Sequence, residues 1–270
     1  MNWKKLTMKL LLALSILSII IPILSMILWS FTNNYIWPDI MPTNFGVRGW
    51  EYVIQNSDRV IHTLKNSIFI SLMTTIITIL ISIPCAKALA FEKFKGKKFV
   101  EMLVFSPVII PPVSIGMGLN IEFIKMGLAG TYLGIILVSI VPCIPYAVNM
   151  IKDVFLITGR GYIDQAYTLG ASKKDVFLKI VAPMIMPGVI SAAMMCYIVS
   201  FSQYFLVYLI GGGKIITFTM EMFPFIQSGD RMLGSVYGLI FIASTIVLLI
   251  AMEYIMKKMY KNELEDYKYI

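Results

Sequence analysis

The sequence has few charged residues for its length. Only 14% of its 270 residues are charged, whereas 58% are hydrophobic. This balance leaves too little polar surface to cover a water-soluble globule, so it indicates a protein whose solvent is a membrane. One spanning helix needs about 20 apolar residues. Five or six spans with their loops therefore use the whole length and exclude a separate soluble domain.

Histidine and cysteine are also scarce, which excludes most metal and disulfide chemistry. His62, the only histidine, stands at the edge of an apolar segment and is interpreted as a polar residue at the interface. Cys85, Cys143 and Cys196 lie inside apolar runs at unrelated spacings, as small core residues do. An intramembrane enzyme would need a nucleophile or a metal cluster within a span, and the sequence supplies neither.

Long apolar segments recur along the chain. The predicted spans are 9–30, 66–90, 99–124, 131–151, 184–210 and 233–256. The first is longer than the core of a signal peptide and lacks a small-x-small cleavage site, so we expect an uncleaved span.

The basic residues predict the topology. With both termini inside, cytoplasmic segments hold 17 of the 23 Lys and Arg residues. We therefore predict an all-α membrane protein with about six transmembrane helices and both termini cytoplasmic. The net charge of +8 reflects this asymmetry, and we expect no nucleic-acid partner.

Prolines interrupt two of the predicted spans. The third carries Pro107, Pro111 and Pro112, and the fourth carries Pro142 and Pro145. Because proline removes a backbone donor and clashes with the preceding turn, we expect both helices to be kinked or locally unwound. Such breaks serve either packing or a transport pathway, and the sequence leaves both interpretations open.

The segment 161–187 is too regular to be a plain connector and predicts two helices joined by a glycine. Ile163, Ala166, Tyr167 and Gly170 share one face at helical spacing, and Gly170 suits a left-handed terminating residue.

A second helix is predicted to begin at Ser172, because Ser172 and Asp175 form a capping-box pattern. Pro183 and Pro187 mark the entry into the fifth span. The pattern thus predicts a short amphipathic helix across the cytoplasmic face.

The same segment resembles the EAA motif of ABC importer permeases. That motif reads Glu-Ala-Ala, three residues, Gly, nine residues, Ile-x-Leu-Pro. Here Asp164-Gln165-Ala166, Gly170 and Ile180-Val181-Ala182-Pro183 have the same spacing, with Asp for Glu, Gln for Ala and Ala for Leu. The resemblance implies these ATPase-coupling residues: Asp164, Gln165, Ala166, Gly170, Ala171, Ile180 and Pro183. An interfacial helix without a partner is the alternative.

The resemblance extends from residue 66 through the sixth span and is greatest to the polyamine, thiamine, iron and phosphonate permeases. It implies a translocation subunit of the bacterial inner membrane without catalytic residues or cofactor of its own. The implied partners are a cytoplasmic ATPase dimer that binds ATP-Mg, a second and homologous permease chain, an extracytoplasmic solute-binding protein and the lipid bilayer.

Polar side chains within apolar spans are candidates for the substrate path. The candidates are Ser114, Asn120 and Glu122 in the third span, and Tyr197, Ser200, Ser202, Gln203 and Tyr204 in the fifth. Tyr197, Ser200 and Tyr204 are spaced to share one helical face. Hydrogen bonding between helices is the alternative role for them, and an ion pair with Lys125 is the alternative for Glu122.

The resemblance implies a small solute, with polyamines as one class. Polyamine permeases carry acidic residues where Ser202 and Gln203 stand, which argues against a polycation. A self-contained secondary transporter is the alternative function, although no repeat relates residues 1–135 to 136–270. The predicted regions are 1–62 (first span and external loop), 63–260 (five-helix permease core) and 261–270 (cytoplasmic tail).

Overall fold

The structure, a computed structural model, describes residues 3–34 and 44–266, and its regular elements are almost all helices. In chain order they are α1 (Trp3–Ser30), β1 (Thr32–Asn34), β2 (Asn44–Phe45), α2 (Arg48–Gln55), α3 (Ser57–Phe91), α4 (Lys97–Ile109), α5 (Pro112–Lys125), α6 (Tyr132–Thr158), α7 (Gly161–Thr168), α8 (Lys173–Val176), a π-turn (Phe177–Val181), α9 (Ala182–Phe201), α10 (Phe205–Gly211), α11 (Phe218–Gln227) and α12 (Arg231–Asp266). The short strands β1 and β2 pair antiparallel.

The predicted all-α fold with about six spans is confirmed. Within the described ranges, five helices are long and apolar enough to cross a membrane, and α4 with α5 makes a sixth if the bent pair counts as one span. The side of the membrane on which the termini lie stays a prediction. Residues 267–270 of the predicted tail, and 35–43 of the predicted first loop, lie outside the described residues.

Proline has opposite outcomes in the third and fourth spans. Between α4 and α5 the chain bends by 104°, with Ile110 extended and Pro111 preceding the first turn of α5. The predicted break is therefore present there. In contrast, α6 stays helical through Pro142 and Pro145, so the helix is not unwound there, and the other predicted outcome, a kink, stays a prediction. Close packing of α6 against its neighbours accounts for the continuity.

The chain separates into two compact units. Unit 1 comprises Met1–His62 and Met220–Ser244, and unit 2 comprises Thr63–Thr219 and Thr245–Ile270. The predicted division into the regions 1–62, 63–260 and 261–270 stays a prediction.

Unit 1 holds a buried carboxylate. Glu221 is only 6% exposed, and its Oε2 accepts a hydrogen bond from Arg59 Nε at 2.8 Å. The ion pair supplies the compensation that burial of a carboxylate requires. In the same unit, the Arg231 guanidinium lies 4.9 Å from the centre of the Trp29 ring, a cation–π contact.

The core of unit 2 centres on α6 and α9. Cys143 and Cys196 approach so closely that each thiol donates to the backbone carbonyl of the other, at 3.5 and 3.7 Å. Further along, a Cβ atom added to Gly188 would lie 2.9 Å from the Met150 carbonyl oxygen. Small residues recur at every fourth position along α9, namely Gly188, Ala192, Cys196 and Ser200. They allow the two backbones to pack closely.

Helix α3 packs alongside α6 in unit 2. Near one end, the Tyr132 hydroxyl donates to Asn66 Oδ1 at 2.8 Å. At the other end, the rings of Phe91 and Phe155 meet edge to face, 5.4 Å between centres. These two contacts fix the register of the helices over most of their length.

The predicted fifth span is shorter than expected. Helix α9 ends at Phe201, and α10 begins at Phe205. The Gln203 carbonyl accepts a hydrogen bond from the Thr219 hydroxyl at 3.1 Å. This side-chain contact occupies a carbonyl that a continuous helix would use, so the prediction of one helix through residue 210 is wrong.

Candidate functional site: the coupling segment and the polar positions of the spans

The segment from Arg160 to Pro183, here called the coupling segment, contains the predicted helix–glycine–helix. Helix α7 ends in a Schellman motif, in which Ala171 N–H donates to the Ala166 carbonyl and Gly170 N–H donates to the Tyr167 carbonyl, both at 3.0 Å. Gly170 has φ +83° and open space beside it. Conformation rather than crowding therefore requires glycine at this position.

Ser172 caps the next helix as predicted. Its Oγ accepts a hydrogen bond from Asp175 N–H at 3.1 Å, and its hydroxyl donates to the Asp175 carboxylate. However, the prediction of a separate short helix is wrong, because α8, the π-turn and α9 form one helix over Lys173–Phe201. The π-turn directly precedes Ala182-Pro183, where proline cannot donate its backbone bond, and this local rearrangement keeps the helix continuous.

The coupling segment is anchored in the core of unit 2. Ile163, Val176 and Val181 are 1–2% exposed, and they belong to the same buried cluster as Phe155 of α6. Ala166 also belongs to this cluster, whereas Tyr167 is 42% exposed. The segment is therefore packed against the helices of unit 2 and is not a loop detached from them.

An apolar groove of about 470 Å³ lies between α7 and the beginning of α9. It is lined by Tyr162, Gln165, Ala166, Leu169, Lys179, Ile180, Pro183 and Met184. The structure thus brings together four of the predicted coupling residues, Gln165, Ala166, Ile180 and Pro183. Asp164, Gly170 and Ala171 are not among the lining residues, and the last two shape the turn beside it.

Two exposed residues of this segment were not predicted from the sequence. Leu169, at the tip, is 87% exposed, and Tyr162 is 66% exposed. Both line the apolar groove, and a contiguous exposed apolar surface of this kind is typical of a contact site. The sequence signal that could have indicated them is an apolar or aromatic residue next to a glycine, since Tyr162 follows Gly161 and Leu169 precedes Gly170.

Arg160 is a third unpredicted residue of the segment. It bonds Asp164 at 3.0 Å through Nε and Glu92 at 3.2 Å through Nη1. The two carboxylates, Asp164 first, raise the pKa of the guanidinium above its ordinary value. Arg160 thereby connects the acidic position of the motif to the chain that follows α3.

The polar candidates of the third span lie on α5, beyond the bend. Ser114 is exposed, Asn120 is partly exposed, and Glu122 is exposed with its Oε1 2.8 Å from Lys125 Nζ. The ion pair that the sequence offered as the alternative for Glu122 is therefore present.

The polar candidates of the fifth span fall into two groups. Tyr197 and Ser200, on α9, are 0% and 4% exposed. Ser202, Gln203 and Tyr204 follow the end of that helix, with Ser202 exposed and the others partly exposed. The expectation that Tyr204 shares a helical face with Tyr197 and Ser200 is wrong, because the break intervenes. Their role in a substrate path stays a prediction.

A family model connects this geometry to known proteins. The model of the binding-protein-dependent transport system inner membrane component matches residues 66–261. The chain belongs to this family. It is an ABC permease by family and, given its apolar helices, a multi-pass membrane protein.

Relatives of this permease transport different solutes. It is 33% identical over 138 residues to the molybdate/tungstate transport system permease protein WtpB of Pyrococcus abyssi, covering 51% of this chain and 55% of that protein. It is 21% identical over 254 residues to the spermidine/putrescine transport system permease protein PotC of Escherichia coli, covering 92% and 93%. The permease spans just over half the length of the WtpB relatives that it matches.

A solved structure shares the fold. It is a bacterial ABC transporter involved in the import of the acidic polysaccharide alginate. The TM-score is 0.66 at 15% identity, covering 95% of this permease and 96% of that chain. This likeness establishes the fold alone.

Proposed function

We propose that this chain is the translocation subunit of an ATP-driven importer and that the coupling segment docks a cytoplasmic ATPase. The groove carries the proposal, because residues from both halves of the motif, Gln165 and Ala166 with Ile180 and Pro183, line one apolar surface. Leu169 also lines this surface and is 87% exposed, as an apolar side chain suited to a complementary pocket.

Core packing supports transmission of force from that surface. The partner ATPase would bind and hydrolyse ATP-Mg. This chain supplies the mechanical connection: Ile163 and Val176 pack into the cluster that contains Phe155 of α6. A displacement of α7 is therefore transmitted to Phe155 of α6 and to Ile185 near the beginning of α9, since packed interiors transmit strain.

The remaining parts of the assembly follow from the family resemblance. They are a second permease subunit, homologous but different in sequence, an ATPase dimer and an extracytoplasmic solute-binding protein. The setting is a bacterial inner membrane with both termini cytoplasmic. The charge asymmetry of the loops supports this orientation.

A small oxyanion is the solute class that the buried residues favour. Among the described residues of unit 2, the buried polar side chains are hydroxyls and the amide of Asn66, without a carboxylate. Hydroxyl and amide groups donate hydrogen bonds to anions, whereas a polycation requires carboxylates. The WtpB relatives support the oxyanion, and PotC supports a polyamine as the second candidate.

Uptake and co-purification test the proposal. The chain is expressed with its ATPase, second permease and binding protein, and vesicles are assayed with molybdate, tungstate and spermidine. We expect ATP-dependent uptake of an oxyanion and co-purification of the ATPase. Uptake of spermidine alone would favour the polyamine. Uptake driven by an ion gradient, without an ATPase, would establish a secondary transporter and overturn the proposal.

A further inference from the structure

Six buried hydroxyl groups of unit 2 have no hydrogen-bond partner among the described residues. One of them, Ser82, lies about two helical turns beyond Thr74 on α3, and the other five are considered together. They belong to Ser71, Thr74, Ser139, Tyr197 and Ser200, here called the hydroxyl cluster. All five residues are 0–4% exposed. Buried hydroxyls are nearly always bonded, so an unbonded set requires an explanation.

The register of α3 and α6 places two of these hydroxyls at one level. Asn66 pairs with Tyr132, and Phe91 pairs with Phe155, at sequence offsets of 66 and 64. Thr74 and Ser139 differ by 65, so interpolation between the two contacts places them at about the same level along the helices. Ser71 precedes Thr74 by about one helical turn.

The antiparallel register of α6 and α9 brings Ser200 to the same level. Cys143 lies opposite Cys196, as their reciprocal hydrogen bonds show. Ser139 precedes Cys143 by four residues, and Ser200 follows Cys196 by four. The two serines therefore also face each other across the contact between α6 and α9, here called the seam. Tyr197 is one turn from Ser200. Three helices therefore present hydroxyls at one depth.

Neighbouring threonines show that these hydroxyls depart from the usual arrangement. The Thr75 and Thr78 hydroxyls donate to the carbonyls of Ser71 and Thr74 on their own helix, each at 2.7 Å. The Ser71 and Thr74 hydroxyls make no such bond. Their oxygen atoms are also out of contact with solvent. They gain partners if their side chains rotate toward a carbonyl of their own helix, as Thr75 and Thr78 do, or if the helices separate.

We infer that the hydroxyl cluster is a site that binds a ligand by hydrogen bonds, and that the structure shows this site closed. In a second conformation α9 separates from α3 and α6 at this level, and the hydroxyls donate to oxygen atoms of water or of a transported oxyanion. Their neutral donor chemistry suits such ligands. The identification of the ligand as an oxyanion rests on the proposed function, whereas the opening of the seam does not depend on it. The site lies within one subunit, along the seam marked by Cys143 and Cys196.

The first test compares two matched threonines by thermal unfolding of the purified full chain. Thr74→Val removes an unbonded hydroxyl, and we expect Tm to rise by about 2–4 °C. Thr78→Val removes a bonded hydroxyl of the same burial on the same helix and is expected to lower Tm. A fall of Tm for Thr74→Val equal to that of the control would overturn the inference, because the hydroxyl would already be bonded in the closed form.

The second test uses the native thiols as reporters in the complex with the ATPase. In a Cys85→Ser background, alkylation of Cys143 and Cys196 by N-ethylmaleimide is followed by mass spectrometry. We expect slow alkylation without nucleotide and about tenfold faster alkylation with ATP and vanadate. In Thr74→Val, alkylation is expected to stay slow with ATP and vanadate. In Thr78→Val, ATP and vanadate are expected to accelerate alkylation as they do without either substitution.

The outcomes of the second test distinguish a failure of the inferred opening from a failure of the proposed function. Thiols that stay inert in both states, with the ATPase bound, contradict the opening of the seam. If no ATPase co-purifies, the proposed function fails, and the Tm comparison still tests the closed site. Protection by molybdate identifies the solute as the ligand, and equal rates with and without molybdate identify water.

Discussion

The coupling segment and the hydroxyl cluster belong to the same unit but hold their polar groups in opposite ways. In the coupling segment, the helix end at Gly170 and the cap at Ser172 satisfy their backbone donors through local hydrogen bonds. In the hydroxyl cluster, groups such as Thr74 and Ser139 are buried without a partner among the described residues. The comparison teaches that one region satisfies its polar groups in the conformation observed, whereas the other leaves them to be satisfied in the second conformation that we infer.

The largest expected effect concerns the rigid region. Gly170→Asp places a side chain at φ +83°, which costs about 1–2 kcal/mol and disrupts the Schellman motif. We expect ATP-dependent uptake to fall to background while the protein remains in the membrane, as measured by vesicle uptake and immunoblotting.

Gly96→Asp is the matched control for this change. Gly96 also has a positive φ, +88°, and open space beside it, but it lies outside the coupling segment. It is expected to retain uptake. Equal loss of uptake in both variants would show that backbone strain, and not the position in the motif, is responsible.

The second prediction tests the seam between α6 and α9. At Gly188 a Cβ atom would lie 2.9 Å from both the Met150 carbonyl oxygen and Val154 Cγ2. Gly188→Val is expected to lower the free energy of unfolding by about 1–3 kcal/mol, read from thermal unfolding in detergent. Gly118→Val, at a helical position with open space, is the control. The close approach of the helices would be contradicted if both variants unfolded alike.

A smaller effect is expected at the cap of α8. Ser172→Ala removes the oxygen that accepts from Asp175 N–H and is expected to destabilise the helix start by about 1 kcal/mol. Ser172→Asp retains an acceptor and is expected to restore most of the stability. Hydrogen exchange of the Asp175 amide reads the local effect, and unchanged exchange in the alanine variant would argue against the cap.

The smallest effect is expected at Arg160, which is half exposed. Arg160→Lys loses the fork that contacts Asp164 and Glu92 together, and we expect uptake to fall by about twofold or less, with weaker dependence on salt than in the wild type. The same salt dependence in both proteins would show that the two ion pairs do not contribute to coupling.

Local signals of the sequence predicted local structure well. The turn at Gly170 and the cap at Ser172 depend on nearby residues, so the pattern of 161–175 was sufficient to predict them. The break at 110–111 followed equally from paired prolines. These features need no knowledge of distant parts of the chain.

Features that depend on tertiary contacts were missed or predicted wrongly. Pro142 lies in a continuous helix, where unwinding was one of the two predicted outcomes, and α9 ends at Phe201 where Thr219 donates to the Gln203 carbonyl. The burial of Tyr197 and Ser200 likewise depends on which face of α9 meets α6. The serines and threonines of α3, at spacings of three and four, were the signal that a search for buried polar faces could have used.

Crosslinking at Leu169 tests the central claim most directly. Leu169→Cys puts a thiol at the most exposed apolar position of the coupling segment, and Ser202→Cys puts one at an exposed position near the opposite end of Lys173–Phe201. A short bifunctional thiol reagent is added to membranes that contain the ATPase. The account predicts a covalent product of permease and ATPase from Leu169→Cys and none from Ser202→Cys. No product from Leu169→Cys, with the ATPase present in the complex, would contradict docking at this segment.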